Sequence, residues 1–352
     1  MTRLKGWLVA VVGSAAAVIL LVSAYGGLTA ADDEFELVPT IAFSSTRDYP
    51  TAVTPAELMN AGEVYLMEPD GTNARRLTEN VDGDGFAGLS PDGKKIVFNS
   101  NRLRTANDPL NTADLFVMNT DGAEQTHVIR GSSATWSSDS KEIAFHASAS
   151  GTGLPIRPDP GAATSDSDIF VTNVDDQIAG VGEATNITNS ALEIDDDPDW
   201  SPDGTMIAFT SHLASDSPIN SVTAEIYVVN PDGSGGPVPL TSNFEEERSP
   251  AWSKDGTRIV FMCRRGGPDF EICIMDADGS DQVQLTDNSA LDATPTFSND
   301  DQQIMFHRLV LPGPTQQIWV MNADGTGQMQ LTNPPGFNLF ASWGDLRVHV
   351  QN

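Results

Sequence analysis

Arginine and histidine recur at one place in this chain, just after short apolar runs of the Ile-Ala-Phe type: Arg47; Arg102 and Arg104; His146; His212; Arg264 and Arg265; His307 and Arg308. On a chain of formal net charge -30 these cations stand out. A guanidinium clamps carboxylates and phosphates, and its planar fork does so bidentately. The set therefore reads as a basic collar for a small anionic ligand, a peptide or a protein surface, with Arg157 adding to it. The competing reading is structural. Asp195, Asp196, Asp197, Glu245, Glu246 and Glu247 fall near the same level of the repeat, and ion pairs with them would lock neighbouring units together.

Other chemistry is sparse. Cys263 and Cys273 flank a loop centred near Pro268 and fall on consecutive predicted strands, which makes them the disulfide candidate; two buried thiols are the other reading. Asp82-Gly83-Asp84 and Asp276-Ala277-Asp278-Gly279-Ser280-Asp281 place oxygen donors at alternate positions, as calcium favours. Neither completes a twelve-residue loop, and Asp and Gly are also ordinary turn formers, so no cofactor is expected beyond that calcium option. There is no Gly-x-Ser-x-Gly nucleophile elbow, and the five histidines are dispersed.

The elements that must position these residues repeat along the chain. Asp199-Trp-Ser-Pro-Asp-Gly-Thr-Met-Ile-Ala-Phe209 has close copies at Trp252-Ser-Lys-Asp-Gly256 with Ile259-Val-Phe261, and at Leu89-Ser-Pro-Asp-Gly93 with Ile96-Val-Phe98. Each unit reads as strand A ending in Trp or a substitute, a polar turn, and strand B of the Ile-Ala-Phe type. A loop, an apolar strand C, an Asp-Gly turn and a short strand D ending Leu-Thr complete it. A strands end at Leu89, Trp136, Trp200, Trp252, Phe297 and Trp343. Strands such as Leu115-Phe-Val-Met118 are apolar on both faces, as a sheet sandwiched between two others requires. Four short strands at a spacing of roughly 40 to 50 residues predict an all-β, six-bladed β-propeller of antiparallel blades. The fragment from Ile41 lacks strand A and Phe340-Ala-Ser-Trp343 supplies one, so the two ends are expected to build one blade and close the ring. The extra run Leu346 to Val350 either displaces or caps Ile41 to Phe43.

The pattern from Trp200 through Thr241, with Glu225-Ile-Tyr-Val-Val-Asn-Pro-Asp-Gly233 at its centre, resembles the repeat of TolB-type six-bladed propellers, and the resemblance covers the chain from Ile41 onward. It implies the fold. TolB carries an α/β domain ahead of its propeller, which is not expected here, so its Tol-Pal role is not carried over. Propellers of this kind also gate prolyl oligopeptidase-like enzymes, which need a hydrolase domain. Oligogalacturonate lyase resembles the class too and holds a metal with channel histidines, whereas the A strands here contain no His and Asp199 is their one clear acid. Ser-x-Arg after strand B also resembles a family feature, which favours the structural reading of the collar.

Arg3 and Lys5 precede an apolar run from Trp7 to Tyr25, and Thr29-Ala30-Ala31 offers a cleavage site before Asp32-Asp33-Glu34. Residues 1–31 are expected to be a signal peptide or an N-terminal membrane anchor, 32–40 an acidic linker, and 41–352 the propeller. The location is then extracytoplasmic, periplasmic or secreted. Acidity spread over loops argues against nucleic acid and anionic membranes. The long B to C loops, Ser44 to Gly62, Ala147 to Ser167 and Thr210 to Ala224, lie on one face, the pattern of a binding face. These features predict a monomeric, non-enzymatic scaffold binding a protein, peptide or small anionic ligand through that face, with a carbohydrate-active lyase or other channel enzyme as the alternative.

Overall fold

The computed structural model describes residues 35–48, 62–104, 113–147, 167–190, 193–213, 224–243, 245–310, 315–334 and 336–350. Within them, six four-stranded antiparallel sheets form the blades of a propeller. Blade 1 combines the A strand Asn338–His349 with B, C and D strands from the other end of the chain, beginning at Phe35–Ser45. Blades 2 to 6 follow in order, with A strands Asp84–Leu89, Ser132–Trp136, Glu193–Trp200, Glu246–Trp252 and Leu291–Phe297.

The core is divided into six equivalent seams, each between two blades. Ala42, Val64 and Leu66 of blade 1 meet Leu89, Ile96, Phe98 and Met118 of blade 2. Met305, Ile318 and Val320 of blade 6 meet Ile41, Phe43, Tyr65 and Trp343 of blade 1, so the last seam has the same chemistry as the first. Both faces of each C strand are used, which is why those strands read as continuous apolar runs. The Phe ending each Ile-x-Phe run, at 43, 98, 145, 209, 261 and 306, is at most 1% exposed. Each such burial contributes about 1.5–3 kcal/mol.

The Leu-Thr signature has a polar cause. Thr78 Oγ1 accepts from the Val64 amide (3.0 Å) and donates to buried Glu63 (2.5 Å). Thr241, Thr286 and Thr332 make the same pair of bonds, to the amides of Ile226, Ile272 and Ile318 and to the side chains of Glu225, Glu271 and Gln317 just before them. Without that hydroxyl the amide that begins strand C would lose its partner. In the deviant blade 2, Asp114 is met by His127 and Arg130 of strand D instead.

Ring closure goes further than strand A replacing a missing copy. Phe35–Ser45 pairs with Asn338–His349 from Phe35↔His349 to Ser45↔Asn338. The run from Leu346 thus neither displaces nor caps Ile41–Phe43: it extends strand A and pairs with Phe35 to Val38, bringing residues of the acidic stretch into the sheet. Blade 3 departs from the Asp-Gly turn with a five-residue helix, Val174–Ile178, capped by Asn173. Residues 1–34, which include the run expected to be a signal peptide or membrane anchor, lie outside the described residues.

Cys263 and Cys273 form a disulfide within blade 5. They are diagonal neighbours rather than facing partners, because Cys273 sits opposite Phe261 and Cys263 opposite Glu271. In the other five blades the site of Cys273 holds an aromatic residue, Tyr65, Phe116, Phe170, Tyr227 or Trp319, across from the buried Phe. The disulfide stands where an aromatic pair packs elsewhere. Reduction with dithiothreitol is expected to lower stability by about 1–3 kcal/mol, the loop being short, and denaturant unfolding with and without reductant checks it.

Candidate functional site

Arg102, Arg265 and Arg308 each lie flat within a blade and serve one relay. Asn80 takes its backbone bond to Glu63 of blade 1 (3.1 Å) and donates its side-chain amide to Asp84 of blade 2 (2.6 Å). Asp84 accepts from Arg102 (2.8 Å), whose other nitrogen donates to Gln125 (2.7 Å). Glu225, Asn243, Glu247, Arg265 and Gln282 repeat the arrangement between blades 4 and 5. Glu271, Asn288, Asp292, Arg308 and Gln328 repeat it between blades 5 and 6. The guanidinium of Arg102 also covers Phe98 and Phe116, and that of Arg308 covers Phe306 and Trp319. These three arginines pair with acids of their own blade; the neighbouring blade is joined through the asparagine.

The rest of the collar is similarly engaged or set back. Arg47 stacks on Phe43 and Tyr65 and bonds Asn338 (3.0 Å), and burial lowers its pKa. Arg264 pairs with Glu246 (2.9 Å) and covers Phe270. His212 is buried 3.9 Å from Asp196. His146 accepts from the Asp197 amide (3.4 Å), and burial pulls its pKa down against the pull of Asp197. His307 shares a 2.7 Å hydrogen bond with Thr294, and burial brings it down to about 4, so it is neutral at physiological pH. Arg104 sits at the edge of the described residues, and Arg157 lies outside them. The long B to C loops fall largely outside as well; the short one of blade 5, Arg264 to Phe270, is described.

What the structure does bring together is on the axis. A cavity of about 440 Å³ is walled by A strands of all six blades and by the turns that follow several of them. Its wall includes Trp136, Trp200, Trp252 and Trp343, with Pro91, Pro202 and Lys254 toward the A to B turns. The Trp-Ser-Pro-Asp-Gly units are therefore cavity wall as well as scaffold.

A bulge in every A strand shapes this wall. Register slips once per strand, and in each slip one non-glycine residue takes positive φ: Phe86, Ser133, Asp197, Ser249, Thr294 and Phe340, between 45° and 51°. Each costs about 1 kcal/mol, and bulges re-aim side chains. All six of these residues line the cavity. Phe86 and Phe340 stack at 3.7 Å, with buried His307 edge-on to Phe340 behind the wall, so at the level of the bulges blades 1 and 2 present an aromatic side. Blades 3 to 5 present a polar one: Ser249 donates to Asp197 (2.6 Å), and Asp199 accepts from the Trp252 amide (2.7 Å) and the Thr135 hydroxyl (3.1 Å). Burial raises the pKa of Asp199, and raises that of Asp196 well above its ordinary value, Asp197 adding to the rise and Arg248 opposing it.

Asp199 is thus not the one acid of the A strands; Asp195, Asp196 and Asp197 share its strand. The bulges had a signal in the chain: Pro198, Pro250 and Pro295 each stand two residues before the aromatic end of an A strand, where a residue without an N–H fits only at a break in the ladder. Among the described residues no group of three or more His, Cys, Asp or Glu side chains is disposed to hold a metal.

A model of the family described as the TolB beta propeller domain matches residues 162–347, more than half of the chain. The uncharacterized peptidase YuxL of Bacillus subtilis is 30% identical over 109 residues, which is 31% of this chain and 16% of that protein. The chain thus spans only a small part of that relative. Among solved structures, TolB from Acinetobacter baumannii superposes with a TM-score of 0.65 at 19% identity, covering 87% of this chain and 66% of that one. A putative TolB from Agrobacterium tumefaciens gives 0.57 at 17% identity, covering 90% and 100%. At these identities the structural likeness concerns the fold.

Proposed function

The chain belongs to the TolB β-propeller domain family, and from that premise we propose that it is an exported, non-enzymatic binding scaffold that receives a segment of a protein or peptide partner at the propeller axis. The observation that carries this reading is the axial cavity, walled by four tryptophans, with the Phe86–Phe340 stack at blades 1 and 2 and hydroxyl and carboxylate groups at blades 3 to 5, and built by six strained bulges. Extended peptide presents apolar side chains and backbone polar groups together, and such a wall suits both. The guanidinium groups of Arg102, Arg264, Arg265 and Arg308 are occupied by internal acids, which weakens the case for a small anionic ligand. The B to C loop face is the second surface a partner would meet. Export is supported by the apolar run Trp7 to Tyr25 and by the Cys263–Cys273 disulfide, which suits an oxidising compartment.

Photo-crosslinking tests the reading. A photoreactive residue at Ser138 or Pro202, on the cavity wall, should capture one discrete partner in cells, and Ala341→Trp, which fills the cavity, should weaken that partner's binding about a hundredfold, the effect of losing a central anchor. Capture only from Gly267 on the opposite face would move the site to the loops, and turnover of the bound partner would replace a scaffold with an enzyme.

A further inference from the structure

The relay described above occupies three of the six junctions, and of the other three one keeps the buried acid without its arginine. Asp84, Glu247 and Asp292 are buried acids at the start of strand A, and each has its arginine. Between blades 3 and 4 the equivalent acid is Asp195, 1% exposed. It stands opposite Ser211, as Asp292 stands opposite Arg308. Two residues on, where Arg102 follows Ser100, blade 4 has Leu213. Among the described residues no ion pair reaches Asp195 or the adjacent carboxylate of Asp168, itself 1% exposed.

Asp168 is met by donors of its own blade, its Oδ1 accepting from the Ser190 amide (2.8 Å) and the Thr188 hydroxyl (3.2 Å) and its Oδ2 from the Asn186 side-chain amide (2.7 Å), so the shortage of protons falls on Asp195. Ser190 Oγ lies 3.0 Å from Asp168 Oδ1, 3.2 Å from Asp195 Oδ2 and 3.2 Å from the Glu193 carbonyl. A hydroxyl has one hydrogen, so two of these three acceptors face its oxygen with no proton between. The second oxygen of Asp195, Oδ1, is buried and has no hydrogen-bond partner among the described residues. Two buried carboxylates, one of them with an unsatisfied oxygen, are costly without a counter-charge. A carbonyl and a hydroxyl converging with them form a ligand set for a hard cation. Calcium accepts six to eight oxygens in irregular arrangements, whereas magnesium demands a stricter octahedron.

We propose that Asp168, Ser190, Glu193 (through its carbonyl) and Asp195 form a calcium site that takes, at the junction of blades 3 and 4, the place an arginine holds at three others. It differs from the Asp-rich turns that the sequence suggested. Asp82-Gly83-Asp84 is tied into the Arg102 relay through Asp84, and Asp278 is turned onto the amide and hydroxyl of Ser280. The ion would tie strand C of blade 3 to strand A of blade 4, the strand that carries Asp197 and Asp199 to the cavity.

The full chain, stripped with EGTA and dialysed against calcium alone up to about 5 mM, beyond the range of weak extracellular sites, should bind one ion per chain. Its Tm at pH 7.5 should rise by roughly 5 °C at a hundredfold excess over Kd. Asp195→Asn and Asp168→Asn should abolish both effects, Ser190→Ala should weaken binding at least tenfold, and Asp278→Asn should change neither. If no ion binds the wild-type chain, or if binding survives in Asp195→Asn and Ser190→Ala but fails in Asp278→Asn, the proposal is wrong. Should Asp195→Asn fail to fold, Ser190→Ala and the wild-type stoichiometry still decide.

Discussion

A chain lacking residues 337–352 is expected to lose its cooperative thermal transition and to aggregate, although the deletion touches only one strand of blade 1. That strand pairs with Phe35–Ser45 along its whole length. Without it, Ile41 and Phe43 lose Trp343 from their seam, and Leu89 loses the backbone at Gly344 against which it packs. The new edge would be the Phe35–Ser45 strand, with fully buried Ile41, Ala42 and Phe43 exposed to solvent and to other chains. Both neighbouring seams, toward blades 2 and 6, open at once, so the loss exceeds the several kcal/mol of a single large-to-small core change. Circular dichroism melts and size-exclusion chromatography give the readout. Adding the missing strand as a peptide during refolding should restore a melt, because it re-forms the pairing with Phe35–Ser45 and closes both seams. A truncated chain that melts cooperatively at the wild-type temperature would mean that the ring does not depend on closure by its two ends.

Fold and site differ in how far the sequence reveals them. Trp200-Ser-Pro-Asp-Gly204, its copies and the Leu-Thr endings are local chemistry repeated: Ser201 donates to Asp203 and accepts from Met206, and Gly204 takes positive φ. Each requirement is met within a few residues, so repetition exposes it, and six A strands give six blades. The collar was visible as a set of cations, but the direction of a guanidinium depends on residues far along the chain. Arg308 meets Asp292 and Gln328, sixteen and twenty residues away. Those partners occupy fixed places in the unit, and only after alignment to the blade does the Asn, acid, Arg, Gln series become legible. The axial site was the least visible part, since a bulge is one extra residue in a strand and shifts no apolar position. Pro198, Pro250 and Pro295 mark three of the six bulges; Phe86, Ser133 and Phe340 take the same backbone with no proline to announce it.

Arg308→Ala should be the most damaging single replacement in the former collar, lowering stability by about 3–5 kcal/mol, the cost of leaving a buried charge without its partner. Asp292 is fully buried and takes both of its strong bonds from this guanidinium, at 2.6 and 2.7 Å. Its remaining partner is the amide of Asn288 (3.0 Å), which cannot compensate a charge. Burial of the arginine over Phe306 and Trp319 adds a packing loss. A fall in Tm of roughly 6–10 °C follows at about 2 °C per kcal/mol. The double variant Asp292→Asn with Arg308→Met should recover much of the loss, because it removes the orphaned charge and retains an apolar stem over the rings. In contrast, Lys141→Ala, which cuts an exposed pair with Asp139, should leave the melt unchanged. These three melts separate the two roles considered for the collar: a solvent-facing ligand clamp would tolerate Arg308→Ala as readily as Lys141→Ala, whereas a seam element would not. A double-mutant coupling near zero between positions 292 and 308 would show that the 2.6 Å contact contributes nothing to the ring.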